Sequence, residues 1–545
     1  MSVKNPIDTH AVSDKAIVIG LDGATFDLLL PWIEEGILPV LAEILKKGVW
    51  GKLESTIPPL TPPAWTSFIT GKNPGKHGIF NFYLPLDNNL NRPLIDSRSV
   101  KSATIWEIMN TQRKRVGIIN LPITYPPLEV DGFMISGLLT PRNKEVSFTY
   151  PTDLKERLIS KIGDYVIDVY PAIFNLEKAS GVKRFFSDLR YASIKRKDAL
   201  LFLMEDQLWD FLAINFTEPD RIQHPFWKYL DKRCQLYSLD RAKYIRDLAM
   251  ELYKMLDEMI GLVIKRMDKK TTLFIMSDHG FGPYDFSWSV NGWLSNLGLY
   301  KKIEGSKLRA LVKAMIPDEL RRKILSMMTK RAPSFEQKWG QNIDCMNSKA
   351  YFAGEAVQGI YLTVRGDEYM EFRKTLKEEL LKLKDPVTGT QIVDEVFYKE
   401  EIYWGDYLPS APDLLFIAKD YSVVGTDSTE GRKLITSCQM NPKGFHRREG
   451  IFAILGESFK RNCYLSGALI IDLLPTILYT IGLSIPDDLD GKVLKEAFVD
   501  GYPEKNPEKY IPAAEFTVKK EKDRVFSLED EEDIKSRLRG LGYLE

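Results

Sequence analysis

The chain has 545 residues, 44% of them hydrophobic and 11% aromatic, and 75 Lys+Arg are matched by 75 Asp+Glu. At roughly 150 residues per domain this is material for more than one domain, and the composition supports a large buried core and excludes a disordered chain. The neutral balance excludes a nucleic-acid coat role, which calls for a basic surface.

The opening MSVKNPIDTHAVSDK has no apolar core, so no secretory leader is expected. AIVIGL (16–21) then reads as a buried strand and 32–47 as an amphipathic helix. In STIPPLTPPAWTSFITG (55–71), Pro62 holds Thr61 extended and starts a helix, with Thr61 as its N-cap and its end near Thr70. A helix follows at 103–112, strands at RVGIIN (115–120), GFMISGL (132–138) and FLAINF (211–216), and a long helix at 239–267. TLFIMS (272–277) is the next strand. Residues 284–349 break this rhythm: 301–350 carries 12 Lys/Arg against 5 Asp/Glu, including a helical stretch at 306–328 broken at Pro317. It reads as a basic helical insertion, either a solvated pair of helices or a lid or membrane-surface element for an anionic substrate. A helix at 369–383 and strands at DLLFIA (413–418) and IFAILG (451–456) complete the pattern. The apolar run 467–483 contains Asp472 and Pro475 and is too short to cross a bilayer. The charged tail 501–545 is expected to pack loosely and to end in a helix at 528–540.

Buried strands separated by helices indicate an α/β fold with a mostly parallel central sheet flanked by helices. Residues 14–283 and 350–500 are assigned to its core. Cys234, Cys345, Cys438 and Cys463 stand far apart with no CxxC pair, which argues against a disulfide scaffold and a cysteine zinc site. A soluble, cytoplasmic chain is expected.

The chemistry lies in where acids and histidines fall relative to the strands. Asp22 ends the first strand, Asp220 follows FLAINF with His224 four residues on, and Asp278 and His279 end TLFIMS. If these strands are parallel, three carboxylates reach one rim, and crowded carboxylates repel unless a cation sits among them. His446, in KGFHRREG just before IFAILG, is a third candidate. Mixed Asp/His ligation suits zinc or another transition metal better than calcium. Each piece alone has an ordinary alternative as a cap or turn residue; the conjunction carries the reading. Thr61 is the candidate nucleophile: a helix N-terminus favours phosphate, and a metal lowers the hydroxyl pKa. Thr66, Ser67 and Thr70 are worse placed by helical phase.

These segments resemble the type I phosphodiesterase/nucleotide pyrophosphatase family of the alkaline phosphatase superfamily. The resemblance rests on LDGATFD (21–27), LTPPAWTSFITGKNPGKHGIFNF (60–82), FTEPDRIQH (216–224), MSDHGFGP (276–283), GFHRREGIF (444–452) and IDLLPTILYTIGLSIPDDLDGKVL (471–494). It implies an alkaline-phosphatase-like fold and two divalent metal ions, zinc or else manganese. One is held by Asp22, Thr61, Asp278 and His279, the other by Asp220, His224 and His446. It also implies a threonine phosphoryl-enzyme intermediate, and leaves His77 structural. The chain departs from the family's Thr-Phe-Pro-Asn by reading Thr61-Pro62-Pro63-Ala64, which removes an aromatic base contact and an amide donor to phosphate. Trp65, Phe82 or Tyr83 are alternative aromatic contacts or core, and Arg447 and Arg448 alternative anion contacts or surface residues. No cysteine sits in a sulfatase C-x-P-x-R pattern.

The expectation is a metal-dependent hydrolase of phosphodiester or pyrophosphate bonds, acting on a small phosphodiester, nucleotide or lipid head group. A phosphomonoesterase or phosphotransferase on the same site is the alternative, and a non-catalytic binding protein the third. Peripheral membrane contact is assigned to 301–350.

Overall fold

Alternate residues of the first strand face opposite ways, and each side meets its own apolar cluster. In Lys15–Leu21, Ile17 and Ile19 join one buried cluster and Ala16 and Val18 another, the period-two geometry of a strand covered on both faces. The structure is a computed structural model. It describes residues 13–84, 92–143, 146–302, 343–344, 347–352, 354, 358–385, 388–427, 434–438, 443–516 and 525–541. Lys15–Leu21 pairs in parallel with Phe211–Phe216 on one side and Thr271–Met276 on the other. Phe211–Phe216 pairs in parallel with Val116–Leu121, and that strand with Gly132–Ser136. This parallel block is the centre of a mixed α/β fold. The Ala179–Asp206 and Asp240–Ile264 helices cover one face, and Thr61–Thr70, Ile105–Thr111 and Leu473–Thr480 the other.

The strand Glu449–Leu455 runs antiparallel to Thr271–Met276, with Phe452 opposite Met276, and antiparallel to Val49–Glu54. Its first residues therefore lie at the rim where the parallel strands end. A residue just before this strand shares an edge with residues just after the others.

Three expectations change. The helix expected at 32–47 is two helices, Phe26–Glu34 and Pro39–Lys47, because Gly36 turns the chain at φ +74° and Pro39 opens the second. The run 413–418 does form a strand, Leu414–Ala418, but it lies outside the central sheet. It pairs antiparallel with Gly359–Leu362 and Val393–Tyr398 in a separate four-stranded sheet. Its apolar residues join Trp288, Val290 and Leu294 in a cluster separate from the two that flank the central sheet. A buried run does not say which sheet it joins. The basic helical stretch 306–328 lies outside the described residues. The described part of the tail is not loose: the Leu528–Gly540 helix sinks Ile534 and Leu538 into a cluster with Leu60, Tyr125 and Tyr170. Cys234, Cys438 and Cys463 are unpaired, and Cys345 and His10 lie outside the described residues. Among the described residues no helix is long and apolar enough to cross a membrane.

Candidate metal centre

Each candidate side chain reaches the rim by a different local device. Asp22 directly follows the central strand, where Gly20 lets the Thr61–Thr70 helix press close: a Cβ there would lie 2.5 Å from the Trp65 ring. Gly23 takes φ +66°, and a Cβ there would meet Phe281 at 2.9 Å and His279 at 3.2 Å. Asp278 and His279 directly follow Thr271–Met276 and Ser277. Asp220 and His224 stand one turn apart on the Glu218–Leu230 helix, on the same face. His446 lies on the strand Lys443–Arg447, which pairs antiparallel with Gly280–Tyr284 and sets His446 opposite Phe281.

The outcome is two abutting groups. Asp22, Asp278 and His279 form one and Asp220, His224 and His446 the other; within each, one ligand atom per residue lies within 4.8 Å of the others, and all six residues are buried. The His279 and His446 rings stack with centroids 3.5 Å apart, which joins the groups. In the first, His279 Nε2 is 3.4 Å from Asp278 Oδ2 and 3.8 Å from Asp22 Oδ1. In the second, Asp220 Oδ1 is 3.3 Å from His224 Nε2 and 3.4 Å from His446 Nε2.

The imidazoles are aimed by backbone carbonyls. His279 Nδ1 lies 3.1 Å from Gly280 O, His224 Nδ1 3.2 Å from Gly444 O, and His446 Nδ1 2.9 Å from Pro59 O. A carbonyl only accepts, so each Nδ1 carries the proton and each Nε2 lone pair faces its group, as a ligating histidine requires. Asp22 Oδ2 accepts from Asn215 Nδ2 at 2.9 Å, and Asp278 Oδ1 from the Gly23 N–H at 3.2 Å. Their other oxygens, Asp22 Oδ1 and Asp278 Oδ2, are buried with no hydrogen-bond partner. Burial and the nearby Asp220 charge push Asp22 up to about 7. Burial, with Asp22 second, holds Asp278 well above the carboxylate range. Burial raises Asp220 too, but His224 and Arg221 beside it bring it well below. His279 is held well below the ordinary imidazole range by burial and His446, and His446 is lowered by burial. The orphaned carboxylate oxygens beside His279 Nε2 fit a divalent cation at the first group, and Asp220 Oδ1 between two imidazole Nε2 atoms is a donor set that fits one at the second.

Thr61 stands beside the first group, its Oγ1 3.4 Å from His279 Nε2. The rival hydroxyls are engaged elsewhere: Thr66 donates to Pro62 O at 2.7 Å, Thr70 to Thr66 O at 2.6 Å, and Ser67 contacts His77 Nε2 at 3.0 Å. Thr61 is the first residue of its helix, and the cap is Leu60. Pro62 and Pro63 have no N–H and Ala64 N–H donates to Leu60 O, so these three positions offer no backbone donor to a phosphate.

His77 is buried apart from both groups; its Nδ1 accepts from the Ile79 N–H at 3.2 Å, and burial lowers it to about 3. Trp65, Phe82 and Tyr83 are core. Arg447 donates to the carbonyls of Tyr421, His446 and Pro283, and Arg448 pairs with Glu54 at 2.9 Å. Sequence reasoning missed Asn215, Asp168 and Arg221. The first had a signal, a polar residue inside FLAINF, in register with Gly20.

A sequence profile of the type I phosphodiesterase / nucleotide pyrophosphatase family matches residues 16–447. No curated protein matches the chain. Phosphonoacetate hydrolase from Sinorhizobium meliloti 1021, solved with phosphonoacetate, is similar in fold at 16% identity and a TM-score of 0.53, over 86% of this chain and 95% of that one. Human ectonucleotide pyrophosphatase / phosphodiesterase 5 gives 13% identity and a TM-score of 0.47, over 89% of this chain and 100% of that one.

Proposed function

Because the chain belongs to the type I phosphodiesterase / nucleotide pyrophosphatase family, and so to the phosphoric-ester hydrolases of the alkaline phosphatase superfamily, we propose that it cleaves phosphodiester or pyrophosphate bonds through Thr61 at a two-metal site. The observation that carries this is the meeting of six buried ligands, in two groups, beside one threonine hydroxyl. Asp22, Asp278 and His279, with Thr61, would hold one divalent cation and Asp220, His224 and His446 the other. Bound there, the cations supply Lewis-acid polarisation of the phosphate and a lowered pKa at the nucleophile. Zinc fits the Asp/His donor set, with manganese the alternative.

The residues' part in the reaction follows from their placement. The Thr61 hydroxyl gives up its proton and Oγ1 bonds to phosphorus as the bond to the leaving oxygen breaks; the leaving group departs with that electron pair and takes up one proton, so the step is neutral overall in protons. Water then cleaves the Thr61–phosphate ester, freeing phosphate product and restoring the hydroxyl. His279, His224 and His446 keep their protons on Nδ1, pinned to carbonyls, and so stay fixed through both steps. Burial of all seven side chains keeps bulk water from the reacting atoms. Ala64 is buried and offers no side-chain donor, so the substrate class is drawn at small phosphate esters, nucleotides among them.

The test is metal analysis of the purified protein with turnover of an aryl phosphodiester and the matching aryl monoester. Two equivalents of metal and diester turnover support the reading. Preference for the monoester moves it to a phosphomonoesterase or phosphotransferase on the same ligands. Two metals with no turnover of any ester would leave a binding protein. We propose a cytoplasmic location, supported by the unpaired Cys234, Cys438 and Cys463.

A further inference from the structure

Asp220 is the one carboxylate of the second group, and its two oxygens have different fates. Oδ1 faces the Nε2 atoms of His224 and His446 at 3.3 and 3.4 Å. Oδ2 accepts from Nη1 of Arg221, the next residue along the chain. The Arg221 guanidinium, 1% exposed, is in turn forked onto Asp168: Nη2 donates to Oδ2 at 2.6 Å and Nε reaches both oxygens at 3.2 Å. Asp168 is held by further donors, the Val169 N–H and the Thr217 hydroxyl, each 2.9 Å from its Oδ1. The Tyr170 ring lies beside the guanidinium, 5.8 Å from its centroid.

We propose that Asp168 and Arg221 are positioning residues for the second metal: they tie up Oδ2 of Asp220 and leave Oδ1 as its single ligand atom. The inference rests on the two-metal reading above. A carboxylate free to rotate can turn either oxygen, or both, toward a cation, and mixes ligand geometries. The planar fork of an arginine, fixed from behind by a second carboxylate, removes that freedom. Asp168 also cancels the Arg221 charge, so the negative charge of Asp220 remains for the cation. Buried, the three groups are strongly coupled: loss of Arg221 leaves two carboxylates uncompensated, and loss of Asp168 leaves Arg221 to neutralise Asp220.

The experiment is calorimetric titration of Zn2+ into chelator-stripped wild type, Arg221→Gln, Arg221→Lys and Asp168→Asn. Wild type is expected to take up two equivalents. Arg221→Gln should keep one at native affinity and bind the other ~10–100-fold more weakly, the cost usual for a partner that orients a metal ligand. Arg221→Lys should fall between, since an ammonium supplies a point donor and no fork. Native affinity at both sites in Arg221→Gln, with an unchanged circular-dichroism melt, would overturn the proposal, as would an equal weakening of both. Should Arg221→Gln not fold, Asp168→Asn decides in the same way: selective weakening of one equivalent supports it, and unchanged or uniformly weakened binding refutes it. Wild type that takes up fewer than two equivalents would refute the two-metal reading itself, a result distinct from normal wild-type uptake with an unresponsive variant.

Discussion

The two ligand groups solve one electrostatic problem in opposite ways. The first sits at the ends of two neighbouring strands of the sheet centre, carries two carboxylates for one imidazole, and leaves Asp22 Oδ1 and Asp278 Oδ2 buried without partners. The second is assembled from a helix and a short antiparallel ribbon, carries one carboxylate for two imidazoles, and has its outer atoms tied to Arg221, Gly444 and Pro59. The first is thus uncompensated until a cation arrives, and burial raises both its acids. In the second the protein holds the carboxylate in place in advance, and His224 and Arg221 keep Asp220 well below the usual carboxylate range against its burial. On the two-metal reading, charge would be the first group's means of holding a metal and preorganised geometry the second's.

The largest effect that can break this comparison is at Thr61. Thr61→Ala should cut turnover of an aryl diester by ~10³-fold or more while both metals remain, as removal of a nucleophile does. Wild-type-like turnover would remove Thr61 from the chemistry. Next come the ligands: Asp278→Asn should lose the first metal and His446→Ala the second, each lowering turnover by ~10²-fold or more, because an open coordination position no longer holds its phosphate oxygen. Elemental analysis checks this, and loss of both metals in both variants would mean that the groups act as one site. Metal removal sharpens the contrast further. Chelation should lower stability by about 3 kcal/mol per site saturated at ~100-fold its Kd, read as a fall in the melting temperature that added Zn2+ reverses.

The smallest effect concerns His77, a buried histidine in neither group. Its folded pKa of about 3 lies below the ordinary imidazole value of 6.5, so the unfolded chain takes up a proton that the folded one refuses. The stability from this residue is complete above pH ~6.5 and is lost as pH falls from there toward 3, by about 1.4 kcal/mol per unit. His77→Gln should therefore cost stability at pH 7.5, about 1 kcal/mol for the Ser67 contact, and show a shallower loss than wild type between pH 6 and 4. Denaturant titrations at those three values read it, and parallel curves would contradict the assignment.

Much of this was legible in the chain. Apolar runs with acids at their ends placed Asp22, Asp220 and Asp278 before any geometry was known, since a parallel strand delivers whatever follows it to one rim. His446 was legible by motif only. It precedes its strand, and it reaches the rim because Glu449–Leu455 runs the other way, a direction no apolar pattern encodes. The same limit hid the fate of Leu414–Ala418, whose composition is that of a core strand but whose partners lie in another sheet. Asp168 escaped because it comes from an irregular segment about fifty residues before Arg221, and pairing across such a distance leaves no local trace. The docked tail was misjudged for a simpler reason. Its composition is charged, and Glu531 and Arg537 are buried along with Ile534 and Leu538, which repeat at helical spacing on the side that packs.

The reversed strand has a consequence in time. His446 is the last ligand to be synthesised, more than 160 residues after His279 and more than 420 after Asp22. A nascent chain emerging from the ribosome thus holds the entire first group, with Thr61 beside it, long before the second can close. If both groups bind metal as proposed, a chain shorter than 446 residues, not yet turned back against Gly280–Tyr284, would lack the second site and with it the esterase chemistry.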